Sequence, residues 1–236
     1  LKALCCPSNQ LTAINTSANG HLKAFNCRDN QLEKIDVEQN KSLINLSCSN
    51  NRLMRLDVSK NPNIIFLSCE NNNLNALNVS NCELLTDLNC KKNLIDRLNL
   101  SQNYDLERLW CSENQLSELD LSECRKLSML WCSSNRLKSL NVSKNAVLDT
   151  LDCSGNLLIE LDVRHNAELK TLWCGKNRLT ILDVSRNKKL KTLGCKGNPL
   201  SEIIIPKSHK YNFLNKDNDV KIKILREKKT NLSRMN

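Results

Sequence analysis

The chain repeats one pattern every 21 residues, and this period restricts its fold more than any other feature. Each repeat has a cysteine followed three residues later by an asparagine, and the spacing holds through ten repeats without an insertion. Such a period indicates a solenoid, because one coil cannot bury its apolar residues without its neighbours. The cysteines are Cys6, Cys27, Cys48, Cys69, Cys90, Cys111, Cys132, Cys153, Cys174 and Cys195, and the asparagines, the first ladder, are Asn9, Asn30, Asn51, Asn72, Asn93, Asn114, Asn135, Asn156, Asn177 and Asn198.

Within each repeat, leucine and cysteine alternate with a variable residue, as in "LERLWCSENQL". An alternation with a period of two predicts a short strand with Leu and Cys pointing inward and the residue between them pointing outward. Stacked coils then form a parallel sheet with about 4.8 Å between strands. Since 21 residues leave little room for a return helix, we predict an extended or tight-turn convex side with few helices.

The full unit reads L-x-x-L-x-C-x-x-N-x-L-x-x-L-D-V-S-x-N-x-x. It resembles the leucine-rich repeat over residues 1–202, with Cys at the third apolar position. The second half, as in "LDVSKN", partly repeats the first half at a shift of ten. The chain is thus similar to the bacterial leucine-rich-repeat subgroup with two alternating half-motifs. The resemblance implies a leucine-rich-repeat solenoid, formally α/β but here mainly β, with the parallel sheet on its concave face.

The asparagines are predicted to have a structural role. A tight turn within each coil buries backbone N–H and C=O groups, and an amide side chain can both donate to and accept from them. A second column of asparagines, the second ladder, repeats with the same period and has cysteines in its two gaps. It contains Asn19, Asn40, Asn61, Cys82, Asn103, Cys124, Asn145, Asn166 and Asn187.

The thirteen cysteines allow three interpretations: disulfides, a metal site or buried thiols. Parallel strands in register hold their Cβ atoms farther apart than a disulfide requires, and a linear stack gives no tetrahedral cluster for zinc. We therefore expect the repeat cysteines to be small core residues, and we expect no metal and no cofactor. Cys5 differs because it takes an outward position, but His21, His165 and His209 form no recognisable Cys–His signature with it, so no catalytic residue is predicted.

The residue between Leu and Cys defines the centre of the predicted concave face. This central column is Cys5, Asn26, Ser47, Ser68, Asn89, Trp110, Trp131, Asp152, Trp173 and Gly194, and it contains all three tryptophans of the chain. Trp and Arg are enriched among interface hot spots, although Trp on a sheet can also simply pack against cross-strand neighbours. We predict a ligand-binding surface formed by Phe66, Arg108, Trp110, Met129, Trp131, Asp152 and Trp173.

An Asp/Asn column lies on the opposite side, with Asp57, Asp120 and Asp162 among its members. Such a column could bind calcium, as in some β-solenoids. However, the glycine-rich turns of those repeats are absent, which favours a solvated or hydrogen-bonded edge.

The net charge of +10 is concentrated at the C-terminus, where residues 203–236 contain nine Lys/Arg and three Asp/Glu. The repeat ends near residue 202, so we predict a C-terminal β cap followed by a basic flexible tail in 203–236. Because the chain begins in mid-pattern at Leu1, we also expect the N-terminus to be truncated. Nucleic-acid binding is not favoured, since Asp87 and Asp152 interrupt any basic stripe on the concave face.

These features predict a monomeric, non-enzymatic module that recognises a protein or peptide on its concave face. Two alternatives stay open: a glycan-binding module, suggested by Trp beside Asp and Ser, and a regulatory repeat region of a larger protein. No apolar run approaches the length of a membrane span. The family resemblance implies a bacterial cell-surface or secreted protein with a role in adhesion or host interaction.

Overall fold

The structure, a computed structural model, describes residues 1–207 and 210–225. Within those ranges it contains fourteen short strands and no helix, which confirms the prediction of a mainly β leucine-rich-repeat solenoid. The strands are β1 (Ala3–Cys5), β2 (Ala24–Asn26), β3 (Asn45–Ser47), β4 (Phe66–Ser68), β5 (Asp87–Asn89), β6 (Arg108–Trp110), β7 (Met129–Trp131), β8 (Thr150–Asp152), β9 (Thr171–Trp173), β10 (Ile181–Asp183), β11 (Thr192–Gly194), β12 (Glu202–Ile205), β13 (Phe213–Asn215) and β14 (Lys221–Ile224).

The main sheet has eleven parallel strands in the order β1 to β9, then β11 and β13. Each repeat strand pairs with the one 21 residues away, as Leu88 does with Leu109. A smaller parallel sheet of β10, β12 and β14 forms at the C-terminal end. Because the pairing is in register, residues at one repeat position form a continuous column along the solenoid.

Residues 203–225, which lie in the predicted cap, form most of the last three strands. β13 extends the main sheet beside β11, and β14 pairs with β12 in the smaller sheet. The last part of the predicted flexible tail, residues 226–236, and His209 lie outside the described residues.

The core is a stack of leucine and cysteine layers. In most coils the central strand residue and the cysteine two positions later are fully buried, as are Leu109 and Cys111, while the residue between them is partly exposed. Full burial of one such leucine contributes about 1.5–3 kcal/mol. The strands therefore orient Leu and Cys toward the core and the central column toward the concave surface.

The first asparagine ladder connects neighbouring coils. Asn30 Nδ2 donates to Cys6 O of the preceding coil at 2.9 Å and to Cys27 O of its own coil at 3.0 Å. Its Oδ1 accepts from Leu11 N of the preceding coil at 3.0 Å. One buried amide thus satisfies backbone groups of two coils, and the later members of the ladder repeat this arrangement.

In five asparagines of the second ladder, only the donor half of the side-chain amide is satisfied. Asn166 Nδ2 donates to Val142 O at 3.0 Å and to Asn145 O at 2.8 Å. Its buried Oδ1 accepts no hydrogen bond within the described part of the chain. The same holds for Oδ1 of Asn61, Asn103, Asn145 and Asn187.

Thr16 shows how the orphan acceptor can be satisfied. Its Oγ1 lies 2.7 Å from Asn40 Oδ1, and 3.1 Å from Asp36 O. Later coils place Val or Leu at the position of Thr16, so they lack this donor. An unpaired buried acceptor costs about 1–3 kcal/mol. A hydroxyl at the position equivalent to Thr16 should therefore stabilise a coil whose second-ladder asparagine lacks a donor.

We predict that Val142→Thr supplies the missing donor to Asn166, 24 residues downstream as in the Thr16–Asn40 pair. Val58→Thr is the matched control, because the corresponding partner is Cys82, which has no amide oxygen. The first variant should be more stable than the second by about 1 kcal/mol. Urea unfolding followed by circular dichroism measures the difference, and equal stabilities would contradict the role given to the amide oxygens.

Candidate binding site on the concave sheet

Two tryptophans of the central column lie side by side on adjacent strands. Trp110 on β6 and Trp131 on β7 are in register, and their ring centroids lie 5.2 Å apart at an interplanar angle of 46°. Both side chains are half-buried, so each indole keeps part of its surface accessible. The pair is held by the strand spacing, because neighbouring strands place equivalent side chains about 4.8 Å apart.

The two indoles border a cleft of about 370 Å³, here called the Trp cleft. Asp152 on β8 and Asn89 on β5 also come from the central column. The other lining residues lie just beyond the C-terminal ends of the strands, and they include Glu70, Lys91, Ser112, Glu113 and Ser133.

Polar contacts fix most of the charged groups in the Trp cleft. Lys91 Nζ lies 3.4 Å from Glu113 Oε1, and Asn89 Nδ2 donates to Glu70 Oε2 at 2.9 Å. Asp152 Oδ1 accepts from the backbone N–H of Ser154 at 3.0 Å. The walls are therefore pre-organised before any ligand arrives.

Arg108, a predicted ligand-binding residue, is already paired within the sheet. Its guanidinium donates through two nitrogens to the carboxylate of Asp87 on the neighbouring strand, with Nη2 at 2.9 Å from Oδ2. Burial raises the pKa of Asp87, but hydrogen bonds from Arg108 and Thr86 outweigh it and leave the pKa below its ordinary value. Arg108 thus borders the tryptophans without lining the Trp cleft.

Trp173 turns away from the Trp cleft toward the C-terminal end. Its ring centroid lies 5.3 Å from that of Phe213 on β13, at an interplanar angle of 50°. The indole also lies over Gly194, where a Cβ atom would overlap it. This glycine permits the close approach, and Trp173 joins the last strands to the repeats.

Met129 and Phe66 also lie outside the Trp cleft. Met129 is in register with Arg108, and Phe66, which is 37% exposed, lies on β4 beside Asp87. Of the seven predicted ligand-binding residues, the structure brings together Trp110, Trp131 and Asp152 around one concavity.

The charged rim of the Trp cleft was not among the residues predicted to bind a ligand. Glu113 follows the strand at a left-handed position with φ of 57°, which directs the chain around the tight turn before Asn114. Every coil has such a residue immediately before the first-ladder asparagine, and glycine takes this place at Gly155 and Gly197. This left-handed position could have been predicted from its place, always one residue before a first-ladder asparagine.

The buried cysteines are protonated and unreactive, as expected for thiols in an apolar core. Burial raises the pKa of Cys82 to about 11 and the pKa of Cys27 to about 12. The thiolate is the reactive form, so these groups stay protonated and unreactive at neutral pH. Cys5 is exposed, all thirteen cysteines are free, and the described residues contain no cluster suited to a metal ion.

The Asp/Asn column on the far side forms a hydrogen-bonded edge. Asp120 Oδ1 accepts from Ser122 N at 2.9 Å, and Asn141 Oδ1 accepts from Ser143 N at 3.0 Å. The side-chain hydrogen bond from Arg164 lowers the pKa of Asp162 to about 2. These side chains stabilise the turns of the convex side, a local role typical of Asp and Asn.

Solved structures with the same fold include a bacterial protein that also has a column of cysteines. The chain is similar to the functional domain of InlJ from Listeria monocytogenes, which includes a cysteine ladder, with 32% identity and a TM-score of 0.78. That match covers 96% of this chain and 55% of the InlJ chain. This chain therefore spans about half the length of that relative.

Two more distant structures share the fold alone. The internalin InlF from Listeria monocytogenes matches with a TM-score of 0.54 and 14% identity, covering 96% of this chain and 88% of that one. TLR13, in a complex with a single-stranded RNA, matches with a TM-score of 0.63 and 22% identity, covering 89% of this chain and 40% of the TLR13 chain. No protein-family model matches the chain, and no curated protein matches it.

The protein is a leucine-rich-repeat solenoid. More particularly, its unbroken 21-residue period and its bacterial structural neighbours fit the bacterial 21-residue subgroup, as the sequence predicted. The similar structures indicate no enzymatic family. Within residues 1–207 and 210–225, no helix has the length and apolar character to cross a bilayer.

We predict that the protein loses stability steeply as the pH rises above about 9. The folded-state pKa of Cys82, about 11, exceeds the ordinary value of 9.0, so the unfolded chain releases this proton first. The free energy of unfolding then falls between pH 9 and the folded-state pKa, by about 1.4 kcal/mol per pH unit for each such thiol.

Urea unfolding at pH 7.5, 9 and 10 measures this loss. Cys82→Asn restores the common residue of the second ladder and removes one titrating thiol. Its free energy of unfolding should therefore fall less steeply above pH 9, by about 1.4 kcal/mol per pH unit. A free energy of unfolding that stays constant to pH 10 would show that the thiols are not buried.

Proposed function

We propose that this solenoid is a non-enzymatic recognition module that binds a protein or peptide partner at the Trp cleft of its concave face. The observation that supports this proposal most is the in-register pair of half-exposed indoles, Trp110 and Trp131, bordering a concave space. Trp is among the residues most enriched in binding hot spots.

Rigidity favours binding at this surface. The strands that present the indoles are fixed by coil-to-coil hydrogen bonds, and the rim groups Lys91 and Glu113 already contact each other. A surface that is ordered before association loses little conformational entropy when a partner binds. An accessible aromatic pair on a sheet is also a liability unless something covers it.

The proposed cellular setting is the surface of a bacterium or its secreted material, in adhesion or host interaction. The likeness to the InlJ functional domain, which covers 55% of that chain, supports the bacterial origin in this proposal. The same module could serve as a regulatory repeat region within a larger protein.

Glycan binding is the second candidate. Trp110 and Trp131 can stack on a sugar ring, while Asp152 and the hydroxyls of Ser112 and Ser133 lie in the same cleft. A glycan array probed with the full chain tests this candidate directly.

We predict that Trp131→Ala abolishes binding of peptides selected by the wild-type chain. A phage-displayed library of random peptides, panned on the immobilised chain, supplies the probes. The substitution also removes the contact with Trp110, worth about 0.5–1.5 kcal/mol, and the burial of a half-buried side chain, so the free energy of unfolding should fall by less than the ~3–5 kcal/mol typical of a core Trp. Binding is measured by biolayer interferometry and stability by urea unfolding.

Ile159→Ala is the matched control, since Ile159 is a large apolar residue, 65% exposed, that does not line the Trp cleft. It should leave binding unchanged. Intact binding by Trp131→Ala, accompanied by a large loss of stability, would show that the indole pair has a structural role only. Selective binding on the glycan array without peptide binding would favour the second candidate.

A further inference from the structure

The charge of the Trp cleft is opposite in sign to that of the whole chain. The protein has a formal net charge of +10, yet three carboxylates and a single lysine line this cleft. The carboxylates belong to Glu70, Glu113 and Asp152. A local negative field within a positive molecule favours a cationic ligand group at this place over the rest of the surface.

Two of the three carboxylates have no cationic partner in the described residues. Lys91 lies 3.4 Å from Glu113 and compensates its charge. Glu70 accepts from the neutral amide of Asn89. Asp152 uses Oδ1 for contacts with Ser154, and its Oδ2 accepts no hydrogen bond among the described residues.

Asp152 also lies between two tryptophan positions of the central column, of which Trp131 borders the Trp cleft and Trp173 turns toward Phe213. On one side it is in register with Trp131 of β7, and on the other with Trp173 of β9. A cation placed over the face of Trp131 would reach the neighbouring carboxylate as well. The cation–π contact contributes about 0.5–1 kcal/mol at exposed sites and about 2 or more when desolvated.

The cation of the adjacent strand does not fill this place. Arg108 is bound through two nitrogens by the buried carboxylate of Asp87. The accessible part of the Trp131 indole and the Asp152 carboxylate are thus left for a group supplied from outside the chain.

We propose that the Trp cleft takes an arginine or lysine side chain from a basic segment of the protein partner, over Trp131 and beside Asp152. This inference rests on the proposed function and specifies the chemistry of the partner. It selects a cationic peptide over an acidic one and over a neutral sugar.

The chain itself supplies conservative variants for a test. Asp152→Asn removes the charge but keeps the turn, because Asn89 at the same repeat position accepts from Lys91 N at 3.2 Å, just as Asp152 accepts from Ser154 N. Asp120→Asn is the matched control on the far side, where Asn99 accepts from Ser101 N at 3.0 Å in the same way. Both variants should fold like the wild type.

Tryptophan fluorescence reports on this face alone, since all three tryptophans lie in the central column. The probes are tetraarginine amide and tetracitrulline amide, which differ in charge but hardly in shape. We expect saturable binding of tetraarginine, at least threefold weaker with Asp152→Asn, unchanged with Asp120→Asn and abolished with Trp131→Ala. Tetracitrulline should not bind.

Equal binding of the two peptides, equal effects of the two Asp→Asn variants, or no saturable change with up to 10 mM tetraarginine would each overturn the proposal. The library-selected peptides separate this inference from the proposed function. If they require Trp131 but bind Asp152→Asn as tightly as the wild type, the cation site is wrong and the recognition surface stands. If they bind Trp131→Ala fully, the recognition surface itself is wrong.

Discussion

The structure depends on the hydrogen bonds by which each first-ladder asparagine satisfies the backbone of two adjacent coils. Asn30, for example, bonds Cys6 O and Leu11 N of one coil and Cys27 O of the next. Because one amide must reach fixed backbone atoms in both coils, neighbouring coils can stack in only one register. That register places every leucine and cysteine layer in the core and every variable residue in a column.

The columns convert a simple repeat into a specific surface. Since the stacked coils are stabilised through Leu, Cys and Asn, the outward position is free to vary, and here it brings Trp110, Trp131 and Asp152 onto three successive strands. The concave sheet holds these side chains at a fixed spacing. Within each 21-residue unit, different residues therefore stabilise the fold and form the exposed surface, as is general in solenoids.

The period predicted the strands, the buried cysteines and the membership of the central column, because all three follow from alternation within a fixed unit. The other features of the site depend on side-chain rotamers, which the repeat pattern does not predict. Alternation places Arg108 and Asp87 on one face, but it does not show that they pair with each other. The turn of Trp173 toward Phe213 depends on β13, which keeps the strand leucine at Leu214 but lacks the cysteine and asparagine of the repeat, so its signal was weak.

The direction of the strand side chains is tested most directly by treating the native protein with a thiol reagent and, in parallel, with acrylamide as a quencher of tryptophan fluorescence. The account predicts rapid labelling of the exposed Cys5, no labelling of the fully buried Cys132 until the protein unfolds, and accessible indoles. Rapid labelling of Cys132 together with indoles shielded from acrylamide would mean that the strands face the other way.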